Sequence, residues 1–118
     1  MPPERRVWQR AEALDRLGGD EELLRELCQI FLEESPKLVR KLRQAVVDGD
    51  PEAVMRAAHS LKGELSYLGA GSASQIARGL EDMGDKRDLS QATEALASLE
   101  RELANLHSAM KDSAGTLR

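Results

Sequence analysis

The feature that most constrains this chain is the spacing of its apolar residues, which recur every three or four positions. Leu96, Leu99, Leu103, Leu106 and Met110 form one such series, and Val54, Ala58, Leu61, Leu65 and Leu68 another. That period lines one face of an α-helix, whereas a half-buried strand needs strict alternation. No stretch alternates for long enough to suggest a sheet, and no internal repeat or low-complexity tract is present. The only aromatic residues are Trp8, Phe31 and Tyr67, so the core has to be aliphatic. A chain rich in Leu, Ala, Glu, Arg and Lys is composed for helix. At 118 residues it can build one modest core and not two.

Local punctuation divides the chain into five helical stretches. Glu4 to Leu17 carries Val7, Ala11, Leu14 and Leu17 at helical spacing and is closed by Gly18-Gly19. Asp20 caps a second stretch through Leu23, Leu27, Ile30 and Phe31. Ser35-Pro36 either ends that helix or restarts it, and the pattern then continues to Asp48-Gly49. Asp50-Pro51 is a strong start signal, a capping side chain followed by proline at the first helical position, and opens a helix running to about Gly69. A fourth is expected from Ser72 or Ser74 to Gly84, and a fifth from Asp88, with Gln91 completing a capping box. The small, polar tail 113–118 is expected to fray. Long amphipathic helices with short connections make antiparallel neighbours. The expected fold is all-α: an antiparallel up-down four-helix bundle with an additional short N-terminal helix, one domain over 1–118 with its core at about 8–110.

Charge narrows the function classes. The net charge is −4, with both signs mixed along the chain, which argues against nucleic acid as the main partner because phosphate-backbone binding needs a clustered positive surface. No apolar run approaches the roughly 20 residues of a membrane span, and no signal peptide opens the chain, so membrane insertion is not expected and a cytoplasmic location is. The single cysteine, Cys28, falls on an apolar helix side and reads as a buried, inert thiol. His59 and His107 are the only histidines and lie on different helices, without the spacing of a zinc site. His107, next to Leu106, is expected on the solvent side of the last helix.

The stretch from Asp50 to Gly69 carries the chemistry. On a wheel of about 100° per residue, its apolar stripe spans roughly 40° either side of a common direction. His59, Gly63 and Ser66 point the other way, towards solvent, with Lys62 and Met55 on the shoulder. Lys62 and Gly63 follow His59 by three and four positions, so the three are neighbours on one surface. A glycine inside a helix costs on the order of 1 kcal/mol relative to alanine. It marks either a close helix–helix contact or clearance for another molecule. A neutral imidazole nitrogen is a competent nucleophile near neutral pH, and an adjacent ammonium can neutralise a moving phosphoryl group.

The run Ala57-Ala58-His59-Ser60-Leu61-Lys62-Gly63, followed by Leu68-Gly69-Ala70, closely resembles the signature of histidine-containing phosphotransfer (HPt) domains. The leucine-rich run from Asp20 into Phe31-Leu32-Glu33, the Gly49-Asp50 turn and Leu80-Glu81 are similar to the same family, so the resemblance spans roughly residues 8–110. The resemblance implies a bundle that shuttles phosphoryl groups between aspartates of receiver domains in two-component phosphorelays. It implies phosphorylation of His59 on its ε nitrogen, stabilisation of the phosphoryl oxygens by Lys62, and room for the receiver at Gly63. Glu81 corresponds by spacing to a polar side chain that approaches the histidine in relatives. It either orients the imidazole N–H or serves a structural salt bridge.

The chain departs from many relatives in having Glu64-Leu65 where two small residues follow the Lys-Gly pair. Leu65 fits the core stripe, and Glu64 adds a negative charge beside the docking surface. Met55 and Ser66 border the same surface, and Tyr67 either contacts the partner or packs at the bundle edge. The implied partners are response-regulator receiver domains and an upstream histidine kinase, with no cofactor of the chain's own and magnesium on the receiver. No glycine-rich phosphate loop or kinase motif is present, so a phosphoryl carrier is expected and not an autonomous kinase. The alternatives are the phosphotransfer domain of a chemotaxis-type or hybrid kinase, phosphorylated by a separate ATPase domain, and a non-catalytic helical adaptor. A complete four-helix core favours a monomer.

Overall fold

The computed structural model describes residues 7–116 and contains, among them, five helices and no strands. They are α1 (Arg10–Arg16), α2 (Glu21–Asp48), α3 (Pro51–Tyr67), α4 (Gly71–Asp85) and α5 (Ala92–Thr116). Helices α2 to α5 form a closed ring of contacts, with α3 packed most intimately on α4, and α1 sits against one end. This is the expected all-α bundle.

The two aspartate start signals act as capping chemistry requires. Asp20 accepts the Leu23 N–H at 3.0 Å and Asp50 accepts the Ala53 N–H at 3.2 Å, each satisfying an orphan donor of the first turn. Gly49 ends α2 in the left-handed region, at φ 64°, a conformation that costs glycine little. The stripe Val54, Ala58, Leu61, Leu65 and Leu68 is buried, joined by Leu24, Leu42, Leu80, Leu99, Leu106 and Met110. The inward face of α4 is built mainly from small residues, Ala73, Ser74, Ala77 and Gly84 around Leu80. Its backbone therefore comes close to α3.

Several expectations are corrected. The first helix begins at Arg10, and residues 7–9 are not helical; Glu4 to Arg6 lie outside the described residues. Long-range bonds hold the backbone there instead: the Trp8 indole N–H donates to the Leu68 carbonyl at 2.8 Å, and the Gln9 N–H donates to the Gly69 carbonyl at 2.8 Å. Ser35-Pro36 neither ends nor restarts α2, which runs unbroken through Pro36. A proline inside a helix costs about 3 kcal/mol. Burial of Leu24, Cys28 and Phe31 before it and Leu42 and Ala45 after it outweighs that cost.

Helix α4 starts at Gly71, just before Ser72, without a side-chain cap, and it ends one residue past Gly84. Gly84 is a contact glycine and not a stop. A Cβ there would lie 2.5 Å from the Pro51 carbonyl oxygen and 2.7 Å from the Met55 nitrogen. Asp88 does not open α5. Its carboxylate accepts the Ser90 N–H and hydroxyl at 3.1 and 2.8 Å, forming a turn that delays the helix to Ala92 and leaves no capping box with Gln91.

Helix α5 continues to Thr116, past the expected fraying point at Ser113, whose hydroxyl accepts from Arg10 Nε at 3.0 Å; Leu117 and Arg118 lie outside the described residues. His107 is not solvent-facing. It is half-buried between α5 and α2, with Nε2 3.1 Å from the Ser35 hydroxyl and its ring edge-on to Phe31 at 5.9 Å.

Candidate functional site

His59 lies midway along α3 on the face opposite the core stripe, with its side chain 67% exposed. The capped start at Asp50-Pro51 sets the phase of this helix, and the buried stripe turns the His59 face outwards. The close approach of α4 then brings Glu81 to the ring. Glu81 Oε2 is 2.8 Å from His59 Nδ1, and Glu81 Oε1 is 2.8 Å from Lys62 Nζ. One carboxylate therefore bridges the histidine and the lysine.

The chemistry of that bridge fixes the tautomer. Hydrogen bonding from Lys62 foremost, then from His59, holds the Glu81 carboxyl below the usual carboxylate range. An ionised carboxylate only accepts, so Nδ1 carries the proton and donates it to Glu81. That leaves Nε2 with its lone pair free, the nucleophilic form of the ring.

Around this triad the surface is two-sided. Gly63, one turn beyond His59, is exposed, and a Cβ there would meet nothing within 4 Å. Its glycine therefore relieves no internal contact. Towards α2, Gly63 and Glu64 line an apolar groove with Ile30 and Tyr67. Towards α4 and α1, Lys62 and Ser66 line a polar cleft that includes Arg16 and Arg78.

Ser66 is exposed yet engaged, its hydroxyl 2.6 Å from that of Ser74. Met55 is half-buried, with its backbone against Gly84. Burial raises the Glu64 carboxyl above its ordinary value, and the neighbouring Glu34 raises it further. Cys28 is buried, and desolvation pushes its thiol up to about 11, so it stays an unreactive thiol. Among the described residues, no group of three or more His, Cys, Asp or Glu is placed to hold a metal ion, and no helix is long and apolar enough to cross a membrane.

Sequence reasoning misses two supports of the site. Arg16 donates to the Ser66 and Tyr67 carbonyls at 2.8 Å each, closing the C-terminal end of α3 with a cation where the helix dipole favours one. Ser74 anchors Ser66. Both act across more than one helix, and only the polar character of Ser74 on an otherwise apolar face hints at its role.

A family model described as the Hpt domain matches residues 26–112. The chain belongs to the Hpt family. It is a histidine phosphotransfer domain of multistep phosphorelays, a phosphoryl carrier in two-component signalling and not a kinase. Solved Hpt structures share its fold. Histidine-containing phosphotransfer protein B (HptB) from Pseudomonas aeruginosa PAO1 aligns with a TM-score of 0.89 at 24% identity, over 97% of this chain and 99% of that one. The HPT domain of the Hpt sensor hybrid histidine kinase from Shewanella aligns with a TM-score of 0.82 at 19% identity, over 93% and 95% respectively. No curated protein matches the chain by sequence.

Proposed function

We propose that His59 is the residue that carries the phosphoryl group, and that Lys62, Gly63 and Glu81 each serve one part of the transfer. The observation that carries this reading is the Glu81 bridge, which holds Nδ1–H and Lys62 Nζ at 2.8 Å each on an exposed imidazole ring. In the forward step the Nε2 lone pair attacks phosphorus of a receiver's aspartyl phosphate. The N–P bond forms as the P–O bond to aspartate breaks, and the carboxylate leaves with the electron pair. The ring becomes a phosphorylated imidazolium that keeps its Nδ1 proton, and Glu81 stabilises that positive charge. Because no proton has to leave, the reverse step onto another aspartate returns the neutral imidazole directly.

Lys62 moves from its Glu81 oxygen to the phosphoryl oxygens as they arrive, supplying the charge neutralisation that phosphoryl transfer depends on. Gly63 gives the incoming aspartate in-line access. Magnesium enters on the receiver. The partners are receiver domains and, upstream, a histidine kinase that charges the first of them.

The test is incubation of the purified chain with a labelled phospho-receiver. Label is expected on the chain as an acid-labile, base-stable adduct, absent from His59→Gln. Gly63→Gln should keep the fold and slow transfer. Label retained by His59→Gln would overturn the assignment, and an unchanged rate in Gly63→Gln would overturn the role given to that glycine.

A further inference from the structure

Beside the phosphate-carrying face, α2 and α3 leave a groove of about 360 Å³ that begins at Gly63, one helical turn from His59. Its walls include two of the few large apolar side chains left in solvent, Ile30 at 54% and Tyr67 at 49% exposure. Two carboxylates, Glu34 from α2 and Glu64 from α3, stand on its rim. They are close enough for Glu34 to disfavour ionisation of Glu64.

Glu64 has no side-chain partner among the described residues. Glu34 has only Lys37 on its own helix, at 3.4 Å and exposed on both sides, an arrangement that contributes little. Elsewhere on the bundle, Glu52 pairs with Arg56, Glu81 with Lys62 and Glu100 with Arg43. Two like charges facing each other over exposed apolar surface are destabilising in the free chain. A cation placed between them removes that penalty.

We propose that this groove selects the partner receiver: it takes a receiver segment presenting an apolar side chain next to a lysine or arginine, with the cation seated between Glu34 and Glu64. The inference rests on the reading of His59 as the carrier, because the groove begins at Gly63, one helical turn from that residue. The opposite flank of the site is net cationic, with Lys62, Arg16 and Arg78 against the one carboxylate of Glu12 around a cleft of about 540 Å³. Acidic groups around the receiver's phosphorylated aspartate meet that flank while its cation meets the groove. The two flanks thus carry opposite signs, which fixes one docking orientation.

The test uses purified, unphosphorylated receiver domains, some with and some without a basic residue beside an exposed apolar patch, titrated against the full chain. Receivers with the basic neighbour are expected to bind tighter. With the tightest of them, Glu64→Gln and Glu34→Gln should each weaken binding about fivefold, and Glu64→Lys more than tenfold, with the losses shrinking as salt rises. Glu94→Gln on α5 should change nothing. Both glutamine variants should unfold at or above the wild-type midpoint, since each removes a repulsion, so a loss of affinity is not a loss of fold.

Equal or tighter binding by the Glu64 and Glu34 variants overturns the proposal, as does binding that ignores the basic neighbour or is absent altogether. So does a dimer of the chain in sedimentation equilibrium that Ile30→Lys dissociates, because the groove would then hold a second copy. His59→Gln separates the two readings: it should lose label while binding as the wild type does. Failure of labelling therefore counts against the carrier assignment, and failure of the charge series counts against the groove.

Discussion

Alanine at Gly63 and alanine at Gly84 are expected to move stability in opposite directions, although both glycines lie inside helices. At Gly63 a Cβ meets nothing within 4 Å. The substitution should therefore deliver the full helix-propensity gain of about 0.8–1 kcal/mol, a rise in midpoint of roughly 4 °C for a domain of this size. At Gly84 the added carbon lands 2.5 Å from the Pro51 carbonyl oxygen, 2.7 Å from the Met55 nitrogen and 3.0 Å from the Met55 Cα. These are backbone atoms of α3 and cannot rotate away, and ordinary contact lies near 3.5 Å, so α4 has to retreat by about 1 Å at that end. Overpacking of this kind costs about 1–3 kcal/mol. Set against the same propensity gain, the net is a loss of about 1–2 kcal/mol at the upper part of that range.

The retreat has a functional signature as well. Glu81 sits one turn before Gly84 on α4, so the shift lengthens its 2.8 Å bonds to His59 and Lys62. Gly84→Ala should slow phosphoryl transfer without touching the reacting face, whereas Gly63→Ala should leave the Glu81 bridge intact. Urea unfolding followed by circular dichroism, with transfer rates on the same samples, measures both. A Gly84→Ala variant as stable as Gly63→Ala would refute the close α3–α4 packing on which the geometry of the site depends.

Replacing Glu81 by glutamine keeps an acceptor for Nδ1–H but removes the charge that stabilises the imidazolium. The rate at saturating receiver should fall about tenfold while receiver affinity stays unchanged, and a change in affinity alone would contradict the positioning role. Because the Glu81 carboxyl is held low, the bridge is fully present above the ordinary carboxyl range near 4.5 and is lost only as pH falls through its lowered value. No loss of transfer from Glu81 protonation is therefore expected between pH 6 and 8. His107 titrates in the opposite chemical sense with the same outcome. Burial foremost, then Lys111, lowers its affinity for a proton in the folded state below the ordinary 6.5. The unfolded chain binds that proton first as pH falls, so stability present above about pH 6.5 declines below it. His107→Gln should flatten that part of the stability–pH profile, and an unaltered slope would place the effect elsewhere.

What the sequence made legible follows the range of the interactions. His59, Lys62 and Gly63 occupy positions three and four apart on one helix, so their shared face follows from helical geometry before any tertiary contact is considered. Asp20, Gly49 and Asp50 act on the backbone within a few residues, and their caps appear where the local pattern places them. Most of the misreadings involve partners far along the chain; the exception is Asp88, whose carboxylate turns onto Ser90 two residues away in place of opening α5. Pro36 is carried by the core on either side of it, His107 is drawn inwards by Ser35 seventy-two positions away, and Trp8 is held out of helix by the end of α3. Gly84 reads locally as a stop because nothing in its own helix reveals the α3 backbone pressed against it.

That last case bears on how the site is made. Spacing and resemblance name Glu81 as the residue facing the histidine, but they leave open whether it orients the ring or merely forms a salt bridge. In the structure the small residues Ala73, Ala77 and Gly84 let α4 approach until one carboxylate spans Nδ1 and Nζ, the geometry from which the role proposed for Glu81 is drawn. The Nδ1 proton is fixed by Glu81, and Glu81 reaches the ring because these small residues, which carry no polar side-chain atom, hold α4 close to α3. Changes in those side chains should alter the chemistry of His59 as surely as a change in Glu81.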